Sequence, residues 1–133
     1  MHGLFYFIKM NQNKPVSIQQ KFSLFNDQWS PKIIAESNGQ LIKLAKIEGE
    51  FVWHNHPHED EVFFIIKGKL LLKFRDKEIE LKEGELYVVP KGVDHFPVAE
   101  EECWVMLIEP KGTRHTGETD FERSVDEKDQ KWI

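Results

Sequence analysis

The stretch Phe51-Val52-Trp53-His54-Asn55-His56-Pro57-His58-Glu59-Asp60-Glu61-Val62-Phe63-Phe64-Ile65-Ile66-Lys67-Gly68 decides how the rest of the chain is read. Residues 51–56 read as one short strand. Residues 62–67 read as a second, apolar on both faces and stopped by a glycine. Period-2 geometry sends Phe63 and Ile65 to one face and Phe64 and Ile66 to the other. On a strand His54 and His56 share a face, so both imidazoles can reach one ion at ~2.0–2.1 Å from each nitrogen. Reading back from Phe63 and Ile65, Glu61 points with them toward the interior. The bland alternative is a set of satisfied core histidines that bind nothing.

The same alternation of short strands and turns continues outward. Residues 33–35 and 41–47 flank Asn38-Gly39, which supplies the positive φ angles of a type I′ hairpin turn. Further strands are expected at 70–74, 79–81, 86–89, 94–98 and 104–109, with Gly49, Gly68, Asp76, Gly84, Pro90 and Gly92 at the joints. Strands roughly ten residues apart with glycine or proline between them mean an all-β sandwich or barrel. Ahead of them, Ile18, Phe22 and Phe25 give residues 16–26 one short amphipathic helix, closed by Pro31. Residues 1–15 read as a peripheral N-terminal segment, with Met10 as an alternative start, and residues 16–133 as a single domain. The tail from Pro110 is polar, with Trp132 able to tuck back onto the body. Cys103-Trp104-Val105-Met106-Leu107-Ile108 is, like 62–67, apolar on both faces, so something must cover the second face: a dimer partner or the N-terminal segment.

Composition bounds the function. In 133 residues, 40% hydrophobic and 31% charged, there is room for one globular domain. A formal charge of −5 lacks the clustered Lys and Arg of a nucleic-acid footprint. No run approaches a membrane span. The apolar Leu4-Phe5-Tyr6-Phe7-Ile8 is too short for a secretory h-region and has no basic n-region or cleavage site. One cysteine forms no internal disulfide, so a cytoplasmic location is expected. No nucleophile triad and no phosphate-cradling glycine loop appears.

A distant strand adds His95, after the turn Pro90-Lys91-Gly92. Three histidines and one carboxylate from two places make a cage that no single segment could supply. His54-Asn55-His56, four residues, Glu61, six residues, Gly68, followed by Gly84, five residues, Pro90-Lys91-Gly92, two residues, His95 resembles the two motifs of the cupin superfamily. The resemblance covers residues 40–109, and the flanks are similar to small single-domain type-2 cupins. There are two departures. Four residues rather than five separate Gly49 from His54, leaving Glu48 at the usual glycine position, and Ala99 stands where the second motif usually has Asn. Neither touches a ligand position.

The resemblance implies a jelly-roll β-barrel with a short N-terminal helix and a polar C-terminal tail. It also implies one divalent metal ion per chain, held by His54, His56, Glu61 and His95. Nitrogen-plus-carboxylate ligation suits Fe, Mn, Ni, Co, Cu or Zn without choosing among them. The expected function is that of a metal-dependent enzyme on a small molecule, of oxygenase or isomerase class, working as a homodimer. A non-catalytic small-molecule binding or sensing module is the alternative. The pocket is expected to be lined by Phe51, Phe63, Ile65, Leu72, Phe74, Val88, Phe96 and Met106. His58 and His115 read as loop residues, with His58 a secondary candidate for ligand or proton shuttle and Glu59 for the acidic ligand. Lys43, Asp60 and Tyr87 are further acid/base candidates. Cys103 reads as a buried apolar residue and Glu100-Glu101-Glu102 as a solvated turn.

Overall fold

The computed structural model describes residues 13–113 and 129–133. The readings of His115, of the start at Met10 and of most of the peripheral and tail segments lie outside them. Among the described residues the order is α1 (Ile18–Phe22), β1 (Lys32–Ser37), β2 (Gln40–Glu50), β3 (Glu61–Lys67), β4 (Leu70–Phe74), β5 (Glu78–Leu81), β6 (Leu86–Val89) and β7 (His95–Pro110). Every strand pairing is antiparallel, in the order β1-β2-β7-β3-β6, with β4 joining β7 to β5. This is the all-β jelly-roll barrel expected.

Two expected strands, 94–98 and 104–109, are one. Ile47 faces Cys103 and Gly49 faces Ala99, so Glu100-Glu101-Glu102 oppose only Glu48. The acidic run is therefore a bulge within β7 rather than a turn between strands, and a bulge bends its strand. The bend lets one 16-residue strand pair with β4 through residues 95–98 and with β3 through residues 104–108. Residues 51–56, expected as a strand, carry only a single bridge, His54 to His95.

The hairpin turn forms as expected, with Asn38 at φ 53° and Gly39 at φ 76°. Gly68 answers two demands at once. Its φ is +87°, and a Cβ there would sit 3.1 Å from the Glu102 carbonyl oxygen and 3.3 Å from Cys103 Cα.

Along β7 the odd-numbered residues point inward. Cys103, Val105 and Leu107 join Ala45, Ile47, Phe63, Ile65, Leu72 and Phe74 in the barrel core. The even-numbered Trp104 and Met106 pack outside with Ile42 and Leu44 against Phe22 and Phe25. The chain thus covers part of its own second face. Helix α1 is shorter than residues 16–26: Ser17 caps it by accepting from Gln20 N–H (3.2 Å), while the Ser23 hydroxyl turns back to the Gln20 carbonyl. Phe25 reaches Phe22 across the following turn, ring centroids 5.8 Å apart. The C-terminus does tuck back. Trp132 bridges Ile33, whose N–H donates to the Lys131 carbonyl (2.8 Å).

Candidate metal centre

The two motif segments are stitched together by their backbones. His54 N–H donates to the His95 carbonyl (3.1 Å) and His95 N–H to that of His54 (2.9 Å), while Gly92 N–H donates to the His56 carbonyl (2.8 Å). Between them Asn55 Nδ2 donates to Asp94 Oδ1 (2.8 Å). The residues beside the histidines therefore hold the gap while the histidines themselves turn inward.

His54, His56, Glu61 and His95 are all buried, and one ligand atom from each lies within 4.8 Å of all the others. Carbonyl oxygens fix two of the rings: His54 Nδ1–H donates to Val52 (2.8 Å) and His95 Nδ1–H to Val93 (3.0 Å). A carbonyl only accepts, so each Nδ1 bears the proton and each Nε2 keeps its lone pair, the arrangement of a ligating histidine. His56 Nε2 and His95 Nε2 are buried and meet no hydrogen-bond partner, and they lie 3.4 and 3.6 Å from Glu61 Oε1. Buried polar atoms left so are rare. Nitrogen lone pairs facing one carboxylate oxygen fit a divalent cation.

The electrostatics agree. Burial, then the neighbouring His95, pushes His54 down to about 3, so it is neutral at physiological pH. Burial also opposes a charge on His56, but the Glu61 carboxylate facing it outweighs burial and raises it. Burial opposes a charge on Glu61, but the His56 and His95 imidazoles facing it hold its carboxyl well below the ordinary range.

The other candidates fall away from this cluster. His58 is exposed, Glu59 is half-buried outside the four, and Asp60 accepts from Lys91 N–H (2.8 Å). Tyr87 packs on the core. Burial raises the Cys103 thiol to about 12, which leaves it an inert apolar filler as expected. Lys43 is fully buried and bonded to Glu109, a residue that sequence reading passed over. Glu109 lies against Glu61, and burial first and the Glu61 charge second push its carboxyl well above the ordinary range. Its place was legible: counting inward residues along β7 from Val105 and Leu107 leads to Glu109.

Beside His54 and Glu61 a cavity of about 40 Å³ opens, walled by Trp29, Ala45, Ile47, Phe51, Phe63 and Val105. Trp29 and Phe51 stack face to face there, centroids 4.6 Å apart. Ile65, Leu72 and Phe74 point inward as expected, but three of the expected pocket residues do not. Val88 is exposed, Phe96 lies beside Trp53 outside, and Met106 packs toward α1, because all three are even-numbered on strands whose odd-numbered residues face in.

The family model described as Cupin domain matches residues 40–109. The chain is a cupin. It is 55% identical to a cupin-2 domain containing protein from Shewanella frigidimarina, with 75% of this chain and 98% of that one aligned and a TM-score of 0.73. The uncharacterized protein YdbB of Bacillus subtilis is 43% identical over 63 residues, or 47% of this chain; the match spans 56% of that protein's length. Hydroquinone 1,2-dioxygenase PnpCD, solved with Cd2+ and 4-hydroxybenzonitrile, shares the fold at 14% identity (69% of this cupin, 70% of that chain, TM-score 0.58).

Proposed function

We propose that this cupin holds one divalent transition-metal ion through His54, His56, Glu61 and His95 and uses it on a small molecule, as an enzyme of oxygenase or isomerase class. The observation that carries the reading is the pair of buried, unpartnered Nε2 atoms of His56 and His95 facing Glu61 Oε1. A bound ion there would supply Lewis-acid or redox chemistry, with positions left open to a substrate. The chain's own contribution is orientation and exclusion of water. Val52 and Val93 carbonyls fix the tautomers, and Trp29, Phe51 and Phe63 wall the cavity. A cavity of about 40 Å³ takes only a few water-sized groups, so the substrate enters with an oxygen donor and a short apolar end. Fold alone does not choose the reaction; hydroquinone 1,2-dioxygenase supports the oxygenase class only as an example of what this fold can carry.

The reading includes a homodimer. It also includes a cytoplasmic location, which suits a single buried cysteine. No helix among the described residues is long and apolar enough to cross a membrane. The deciding experiment is elemental analysis of protein purified without chelator or immobilised-metal resin, followed by oxygen-uptake assays on short-chain keto and hydroxy acids. About one equivalent of iron or copper with oxygen uptake supports an oxygenase. Metal with neither uptake nor turnover supports a binding module. Absence of metal, with none taken up on titration, overturns the reading.

A further inference from the structure

Two charged side chains sit in the barrel interior. Lys43 from β2 and Glu109 from β7 are both 0% exposed, and Lys43 Nζ donates to Glu109 Oε1 at 2.9 Å. Neither belongs to the four-residue cluster or to the wall of the cavity. Alternation puts them there: Lys43 shares an inward face with Ala45 and Ile47, and Glu109 with Val105 and Leu107. Desolvating two ions is seldom repaid by their mutual attraction, and apolar residues of similar volume generally do as well or better. In a core of Leu, Ile, Val and Phe, such a pair calls for a role other than stability.

Its surroundings supply one. Glu109 Oε2 is buried and meets no hydrogen-bond partner, and the β3–β7 register, with Val62 opposite Ile108, sets Glu109 across from Glu61 on the same buried face. Glu61 in turn presents Oε1 to His56 and His95. The charges form a line: Lys43, Glu109, Glu61, and the imidazoles.

The geometry points to Lys43 and Glu109 as positioning residues, Lys43 anchoring Glu109 so that Glu109 fixes the rotation of the Glu61 carboxylate toward the histidines. This rests on the metal-site reading given above. Outer partners of ligating groups typically contribute 10–100-fold to metal affinity.

Co2+ titration followed by its visible absorption tests the inference in the full chain, with far-UV circular dichroism of the metal-free proteins as the check on folding. Glu109→Leu should weaken Co2+ binding about 10–100-fold and shift the absorption bands, because Glu61 is free to rotate. Glu109→Gln, whose amide keeps an oxygen for Lys43 and can turn its NH2 group toward Glu61, should restore most of the affinity and the wild-type bands. Where a single variant leaves an unpaired buried charge and fails to fold, the double variant Lys43→Met with Glu109→Leu removes both charges at once and should fold. It too should bind Co2+ more weakly and with shifted bands. A double variant with wild-type affinity and spectrum overturns the positioning role. Wild type that takes up no Co2+, or His56→Ala that takes up as much as wild type, overturns the metal-site reading instead.

Discussion

Two carbonyl groups decide what His54 and His95 can do. By taking the Nδ1 protons they leave Nε2 of both rings as lone pairs in the interior. His56→Ala should therefore cost more metal affinity than the ~10–100-fold typical of losing a supporting contact, since nothing nearby can replace that nitrogen. Glu61→Gln should cost less, because the amide oxygen still coordinates, and exposed His58→Ala should leave occupancy unchanged. Isothermal titration of the three variants with one metal checks the order, and equal affinities would place any ion elsewhere. The same buried rings make the metal-free protein acid-sensitive. His54 is lowered to about 3 by burial and then by His95, so the unfolded chain, with an ordinary pKa of ~6.5, takes the proton first. Its contribution is lost as pH falls from ~6.5 toward 3 and amounts to on the order of 4–5 kcal/mol by the end of that range. Glu61, depressed by His56 and His95 against its burial, works in the same direction: its contribution is present above the ordinary ~4.5 and is lost at lower pH. His56 is raised, so its contribution is full below ~6.5 and fades as pH rises through its folded value. Tm measured after chelation should fall between pH 6 and 4, and less steeply in His54→Leu. Parallel curves for the two proteins would rule out His54 as the cause.

At the scale of elements, turn chemistry and alternation made most of the fold legible. Asn38-Gly39, Gly68, Gly84 and Gly92 all take the positive φ that their positions in the pattern required, and His54, His56, Glu61 and His95 lie together as the resemblance implied. What stayed hidden depended on partners far along the chain. Glu100-Glu101-Glu102 looks like a turn because it is acidic and exposed, and only the register of β2 against β7 makes it a bulge. Phe96, Met106 and Val88 read as pocket residues from hydrophobicity alone, which does not say which face is inside. Alternation from Val105 and Leu107 puts Glu109 on the inward face, but neither it nor Lys43 takes on meaning until the fold sets the two side by side. Gly68 shows what the close approach demands. Gly68→Ala would put a methyl 3.1 Å from the Glu102 carbonyl oxygen at φ +87°, so strain of about 1–3 kcal/mol is expected in urea unfolding. Gly84→Ala, with nothing within 4 Å of the added carbon, bears only the backbone part. Equal losses in the two variants would show that the approach to β7 is not tight.

The whole molecule turns on its outer sheet face. Across β6, β3, β7 and β2, one row runs Val88, Val62, Ile108, Ile42 and the next Leu86, Phe64, Met106, Leu44. Helix α1 and Phe25 seal one end, where Leu44 is 0% exposed, but exposure climbs toward the β6 edge to 57% at Leu86 and 45% at Val88. Water is a poor neighbour for so continuous an apolar surface. A second copy laid on it about a two-fold axis would bury the same patch on both subunits, as an isologous interface requires. Exposure rises toward β6, so the contact should centre on β6 and β3. Light scattering at micromolar concentration should give twice the chain mass. Leu86→Lys combined with Val88→Lys should halve it without changing metal uptake, because both side chains point away from the histidines. A wild-type monomer, or a lysine variant that remains dimeric, would remove this face from the assembly.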